Sequence, residues 1–125
     1  MGTVRHIGKG PSGFPFSAIT VANGLFYLSG SVASNIDPEC EGGCAAQMAK
    51  LLPELDEKLK GAGFAMRQAV KVTIFVTDIA FVDTVTEAFT RHYGNAINAA
   101  VSIIAVKALP NPHAVVEIEI HGVVE

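Results

Sequence analysis

The sequence has little arginine, no basic stretch and no long apolar run, and each absence excludes a class of protein. Only three arginines occur, and the nine Lys and Arg residues are outnumbered by twelve Asp and Glu residues, giving a net charge of −3. This balance argues against an electrostatic nucleic-acid surface. No apolar stretch approaches the roughly 18 residues of a membrane span, and the N-terminus lacks the apolar segment of a signal peptide. We therefore expect a cytoplasmic protein without nucleic-acid or membrane partners.

Cysteine is equally scarce. Cys40 and Cys44 lie four residues apart beside two glycines. Such a pair can form a disulfide, join a metal site or remain as reduced thiols. Because no secretion signal is visible, reduced structural thiols are the favoured interpretation.

What the sequence does contain is typical of one globular domain. The chain has 125 residues, of which 50% are hydrophobic and 17% charged, and it has no internal repeat or linker. This length is enough to bury a core, so a single domain over residues 1–125 is predicted. The high apolar fraction in so short a chain also suggests a subunit that hides surface in an oligomer.

The apolar periodicity predicts the order ββ(β)αβαββ. Strands are predicted over residues 3–7, 17–22, 25–29, 70–76, 100–106 and 114–123, and helices over about 44–61 and 81–93. Asn23-Gly24 is a strong hairpin signal, and Asp78 is a candidate cap for the second helix. Pro53 must either kink the first helix or lie in its first turn. Alternation places Val70, Val72, Ile74 and Val76 on one face of their strand.

The long helical connections favour crossovers between strands, and hence a mixed sheet with both helices on one face. The other face is then expected to be apolar and uncovered in a monomer. Other copies of the same sheet could cover it.

Five motifs, in this order along the chain, resemble those of the Rid (YjgF) family. Phe14-Pro15-Phe16 stands in the place of the family's Gly-Pro-Tyr, and Leu25-Phe26-Tyr27-Leu28-Ser29-Gly30-Ser31 resembles its apolar strand ending in Ser-Gly-Gln. Gly61-Ala62-Gly63 resembles the end of its first helix, and residues 70–78 resemble its most recognisable strand. Ala108-Leu109-Pro110, followed by Val116-Glu117-Ile118-Glu119, resembles its C-terminal turn and strand.

The resemblance implies a chorismate-mutase-like α+β fold, a mixed β-sheet with two helices on one face, assembled as a homotrimer with clefts between subunits. Many members hydrolyse small-molecule enamines or imines to a ketone or keto acid and ammonia, without cofactor or metal. In those deaminases an arginine in a Pro-Ala-Arg segment holds the substrate carboxylate. A glutamate on the last strand positions the water.

The sequence departs from this pattern at the arginine. Counting back from Leu109-Pro110 places that position at Val101, whose neutral side chain cannot pair with a carboxylate as a guanidinium does. Such a contact is worth roughly 1.5–3 kcal/mol, so carboxylate binding should weaken ~10- to 100-fold if nothing replaces it. Lys107 and Arg91 are candidate replacements, although solvated surface is the simpler interpretation of both.

The glutamate is retained as Glu117, the candidate catalytic residue, which would orient a water or shuttle its proton. The candidate substrate-binding residues are Phe14, Phe16, Gly30, Ser31, Thr86, Val101, Ser102, Ile103 and His113. Among them, Thr86 stands at a family asparagine position and Phe16 at the family tyrosine. Each has a plainer interpretation: Glu117 as an exposed strand residue or a structural acceptor, the two phenylalanines as core packing, His113 as a turn residue.

Alternation predicts that His113, Val115, Glu117, Glu119 and His121 share one side of the last strand. Same-face positions on a strand are ~7 Å apart, too far for all four polar groups to share one ion, so no metal site is predicted.

The leading hypothesis is a hydrolytic deaminase of an imine or enamine that needs a carboxylate clamp less than usual. One alternative is a non-catalytic, small-molecule-binding or regulatory trimer. Another is a specialised degradative hydrolase like 2-aminomuconate deaminase, which the Leu109-Pro110-Asn111-Pro112-His113 turn resembles. Endoribonuclease activity, attached to some family members, is disfavoured by the acidic balance and the lack of a basic or aromatic groove.

Overall fold

The computed structural model describes residues 2–10, 13–36 and 43–125. The strands are β1 (Arg5–Lys9), β2 (Ser17–Ala22), β3 (Leu25–Ser31), β4 (Ala69–Val76), β5 (Ala100–Ala105) and β6 (Val116–Val123), and the helices are α1 (Gly43–Gly61) and α2 (Val82–Tyr93). Short 3₁₀ turns, Met66–Gln68 and Ile79–Phe81, precede β4 and α2. Each predicted element is therefore present. The strand β2 has the predicted bounds, and the bounds of the other elements shift by one to a few residues.

The strands form one six-stranded sheet in the order β1-β2-β3-β6-β4-β5. All neighbours are antiparallel except β4 and β5. The parallel pair follows from the crossover through α2, since a helix returns the chain to the starting edge of the sheet. The mixed sheet with both helices on one face is confirmed.

The core lies between the helices and one face of the sheet. The helix α1 contributes Cys44, Met48, Leu51, Leu52, Leu55 and Leu59, and the sheet contributes Ile19, Phe26, Leu28, Val72, Ile74, Val76, Val116, Ile118 and Ile120. The spacing of three and four residues on the helix and of two on the strands is what brings these side chains to a common layer. Phe26 stacks on Phe64 with ring centroids 4.5 Å apart, closing one end of the core.

Two questions left open by the sequence concern α1. Pro53 lies well inside the helix and on its exposed side, so the first-turn alternative is wrong. Cys44 is a free and buried thiol, and burial raises its pKa, as expected for a structural thiol. Cys40 lies outside the described residues.

Two local predictions need correction. Val70 does not share the core face of Val72, because it is 45% exposed. The register of β4 against β6 shifts between Ala69 and Lys71, so Val70 is the extra residue of a bulge. Asp78 does cap a helical start, but its carboxylate accepts from the Ala80 N–H at 2.9 Å and so caps the 3₁₀ turn ahead of α2.

The sheet surface opposite the helices is called the open face here. Register and alternation place on it Tyr27, Ser29, Lys71, Thr73, Phe75, Ser102, Ile104, Glu117, Glu119 and His121. Neither helix packs on this face, as predicted. It is not uniformly apolar, however, because charged groups alternate with aromatic and aliphatic ones. No helix among the described residues has both the length and the apolar character that crossing a membrane requires.

Candidate functional site

The carboxyl group of Glu117 is the centre of the candidate site. Glu117 lies on β6, opposite Phe75 of β4, with its side chain on the open face and partly buried. Burial raises the pKa of this carboxyl group, and the neighbouring charge of Glu119 raises it further. A carboxyl group with a raised pKa is suited to exchanging protons nearer to neutral pH than an ordinary glutamate.

Gly30 provides the room that the Glu117 carboxyl group occupies. A Cβ built on Gly30 would lie 3.0 Å from Glu117 Cδ, and 3.2 Å and 3.3 Å from its two oxygens. The register of β3 against β6 shifts between Leu28 and Ser31, so two residues of β3 oppose one of β6. This bulge, formed by Ser29 and Gly30, turns the backbone toward the carboxyl group, as bulges beside active sites often do.

Hydrogen bonds hold the bulge in place from both sides of the sheet. Ser29 Oγ donates to the Ser17 carbonyl at 2.7 Å, and Ser31 Oγ donates to the Ser29 carbonyl at 3.0 Å. Ser31 is 5% exposed, and its hydroxyl accepts from Lys58 Nζ of α1 at 3.1 Å. Ser31 therefore lies beneath the sheet, where it supports the bulge and does not line the open face.

Val101, at which the resemblance places the family arginine, lies on the opposite face of the sheet from Glu117. In β5, Val101 pairs with Val72 and Ile103 with Ile74, so both side chains lie on the helix side. Since β5 is the edge strand, Val101 remains 47% exposed. One small molecule cannot touch both Glu117 and Val101 of the same chain across the sheet.

Lys71 is a cation on the open face that the sequence analysis did not select. Its Nζ donates to Ser102 Oγ at 2.7 Å, and its backbone pairs with His121 of β6. Ser102 thus lies on the open face, unlike its neighbours Val101 and Ile103. Because Lys71 alternates with Val72 along β4, as Thr73 and Phe75 do with Ile74 and Val76, the sequence pattern could have placed it on the face opposite the core.

The predicted aromatic residues form an exposed pair. Phe14 and Phe16 stack with ring centroids 5.5 Å apart and an angle of 18° between planes. They are 60% and 57% exposed, so the core-packing interpretation is wrong. Thr86 is exposed on α2 and donates its hydroxyl to the Val82 carbonyl at 2.8 Å. None of these three side chains belongs to the hydrophobic core.

His113 lies in the turn before β6, which begins only at Val116. The prediction that His113 and Val115 continue the strand face of Glu117 is therefore wrong, whereas Glu119 and His121 do share it. The buried Gln47 of α1 holds this turn: its amide donates to the His113 carbonyl at 2.8 Å and accepts from the Val115 N–H at 2.9 Å. The backbone is anchored while the His113 side chain stays exposed.

Arg91 and Lys107, the two suggested replacement anchors, lie outside the strands that carry the open face. Arg91 borders a groove of about 560 Å³ between α1 and α2, on the helix side of the sheet. Lys107 is exposed beyond the end of β5. Arg91, on α2, is therefore not on the open face, where Glu117 lies.

Comparison with known proteins gives consistent results. Residues 10–124 match the sequence profile of the family described as Endoribonuclease L-PSP. A RutC family protein of Aquifex aeolicus is 31% identical over 111 residues, covering 87% of this chain and 88% of that protein. The human protein named 2-iminobutanoate/2-iminopropanoate deaminase is 29% identical over 100 residues, covering 77% of this chain and 71% of that protein. YyfA of Yersinia pestis, a Rid-family protein of unknown function, superposes with a TM-score of 0.83 at 31% identity, covering 98% of this chain and all of that one.

Proposed function

Because the chain belongs to the Endoribonuclease L-PSP family, the Rid (YjgF) family that its motifs resemble, we propose that it is a hydrolytic deaminase of an imine or enamine. The observation that carries the proposal is the partly buried Glu117 carboxyl group, whose pKa is raised, set against the bulge at Gly30. The name of the human relative, an iminobutanoate and iminopropanoate deaminase, supports this reaction class.

In the proposed reaction, the Glu117 carboxylate accepts a proton from a water molecule as the water oxygen attacks the carbon of the C=N bond. When the imine nitrogen is protonated, this addition gives a neutral carbinolamine, whose nitrogen then takes the proton from Glu117. The carboxylate next accepts the hydroxyl proton as the C–N bond breaks, which forms the carbonyl of the ketone or keto acid and releases ammonia. Ammonia then takes up that proton and leaves as ammonium. The raised pKa of Glu117 brings its proton affinity closer to that of the groups with which it exchanges. Hydrolysis changes no oxidation state, so the proposed reaction includes no redox cofactor.

We further propose that the reacting molecule lies between subunits of a homotrimer. Val101 and Glu117 lie on opposite faces of the sheet in one chain. Among the described residues, neither helix packs on the open face and no strand pairs with the outer edge of β5. A cleft bounded by Glu117 of one copy and by Val101 of another would bring both to one substrate. Light scattering coupled to size exclusion tests this: a monomer at assay concentration contradicts the cleft.

The substrate we propose is a small imine recognised mainly through apolar contacts, with a cytoplasmic source. Val101, Ile103 and the stacked pair of Phe14 and Phe16 offer such contacts in place of a guanidinium. Lys71 is a cation on the open face that could stand in for a guanidinium, but its ammonium group already donates to Ser102. RNA cleavage is not proposed, since the chain has a net charge of −3 and no basic run to bind a phosphate backbone.

The test generates 2-iminopropanoate and a more apolar imine in situ with an amino-acid oxidase and follows their decay. We expect wild type to accelerate hydrolysis, Glu117→Gln to lose the acceleration, and Glu87→Gln, which changes an exposed glutamate on α2, to keep it. Equal activity of wild type and Glu117→Gln would contradict the proposal.

A second candidate, a small-molecule-binding trimer without chemistry, is favoured by the neutral residue at Val101 and by the exposed Phe14 and Phe16. A ligand that binds only the folded state raises its melting temperature by mass action. Stabilisation by keto acids or imine analogues, without turnover of any imine, would favour this candidate over the deaminase.

A further inference from the structure

Lys58 directs its ammonium group into the protein, although lysine ammonium groups normally remain in water. Its residue as a whole is exposed on α1, but its Nζ donates to the hydroxyl of the buried Ser31 at 3.1 Å. Burial of this end lowers the pKa of Lys58, and the charge of Glu54 opposes that shift. Burial thus works against the charged form of this lysine, although its ammonium group is directed at the Ser31 hydroxyl.

Glu54, one helical turn before Lys58, holds the same stretch of chain. Its carboxylate accepts from the Ser34 N–H at 2.9 Å and from the Ser34 hydroxyl. Two charged side chains of α1 therefore bind the segment that runs from Ser31 to Ser34, directly after the bulge. The contact of Lys58 with Ser31 is connected, through the bulge, to Glu117.

The path from Lys58 to Glu117 has three short steps. Lys58 fixes the Ser31 hydroxyl, and that hydroxyl donates to the Ser29 carbonyl at 3.0 Å. Ser29 and Gly30 form the bulge, and a Cβ at Gly30 would lie 3.0 Å from Glu117 Cδ. The backbone beside the carboxyl group is thus held from beneath the sheet by an ammonium group on a helix.

We propose that Lys58 is a positioning residue for Glu117, acting through Ser31 on the bulge of Ser29 and Gly30. In its effect on turnover this inference depends on the proposed imine hydrolysis, but its effect on the Glu117 carboxyl group does not.

The effect of Lys58 on stability distinguishes this positioning role from a purely structural one. Because the pKa of Lys58 is lowered, the folded chain binds fewer protons than the unfolded chain between the lowered value and 10.5. Stability therefore rises with pH through that window, and at neutral pH the charge works against folding. We expect Lys58→Met to leave the melting temperature unchanged or raised. If Lys58 served only to stabilise the fold, its loss would lower the melting temperature.

The experiment compares Lys58→Met, Ser31→Ala and the double variant with Lys60→Met, which removes an exposed lysine of the same helix. We expect kcat on the in situ imines to fall about 10- to 100-fold, the range for a displaced catalytic group. KM should change by less than about 3-fold because substrate contacts remain. The double variant should be no worse than either single one, since both break one path. Lys60→Met should behave as wild type.

A second readout needs no turnover. Titration of the Glu117 carboxyl carbon by NMR should show a lower pKa in Lys58→Met than in wild type, because a loosened bulge admits water and relieves the burial that raises it. If wild type hydrolyses no imine but this pKa falls, the positioning role stands and the proposed function fails. If the Glu117 titration and the pH profile are the same in Lys58→Met and wild type, the inference is overturned, whatever the activity.

Discussion

Substituting Gly30 by alanine tests the arrangement of the candidate site most directly. The added methyl group would lie 3.0 Å from Glu117 Cδ and 3.2–3.3 Å from its oxygens, so the carboxyl group must move by a few tenths of an ångström. The backbone of Gly30 does not have the positive φ that bars side chains, so alanine fits the strand itself. The strain is confined to the contact with Glu117.

The expected magnitude follows from that displacement. A misplacement of 1 Å can cost on the order of 100-fold in rate, so a smaller shift combined with loss of the space for water should lower kcat about 10-fold. Stability should change by less than about 1 kcal/mol, because a compatible Gly→Ala change gains about 0.4–1 kcal/mol through the unfolded state. The end of a glutamate side chain yields more easily than a packed core. The variant should therefore fold and be slow.

The assay is the decay of oxidase-generated imine, with Gly61→Ala as the matched control. Gly61 ends α1, and a Cβ there meets no atom within 4 Å, so its substitution should leave kcat unchanged. Wild-type activity of Gly30→Ala, in a background where Glu117→Gln is inactive, would refute the idea that the bulge confines the carboxyl group. Unfolding of Gly30→Ala at the assay temperature would refute the stability part of the reasoning.

Four further predictions concern Glu117, Val101 and Gln47. The acid limb of the kcat/KM profile should lie above pH 4.5, the ordinary pKa of a glutamate carboxyl group. It should move to lower pH in Glu119→Gln, which removes a like charge from beside Glu117. If it does not move, the limb belongs to a group other than Glu117. Since the folded chain holds the Glu117 proton more tightly, stability should fall as pH rises through this window, and Glu117→Gln should flatten that slope in urea titrations. Val101→Arg should raise kcat/KM for 2-iminopropanoate about 10- to 100-fold, and no gain would remove Val101 from the cleft. Gln47→Leu should lower the free energy of unfolding by about 2–4 kcal/mol, because it leaves a carbonyl and an N–H of the β5–β6 turn without partners; a loss below about 1 kcal/mol would contradict that role.

The sequence by itself determined the elements and the fold class. Helical spacing in α1 and alternation in β4 and β6 are local patterns that specify which face of each element is apolar. The crossovers through α1 and α2 then limit how the strands can be ordered. Family motifs selected Glu117 and Gly30, and the structure brings these two together because their strands are neighbours in the sheet.

The tertiary structure decided where the other candidate residues lie. The bulge at Ser29 reverses the alternation after Leu28, so Ser31 turns toward α1 and binds Lys58, a pairing of residues 27 positions apart. The late start of β6 removes His113 from the strand face. The parallel register of β5 puts Val101 on the helix side and Ser102 beside Lys71. Strand register and bulges depend on pairing between distant segments, and a shift of one residue exchanges the two faces of a strand. Local patterns therefore define the elements and family motifs select Glu117 and Gly30, but only long-range pairing assigns the candidate residues to the two faces of the sheet.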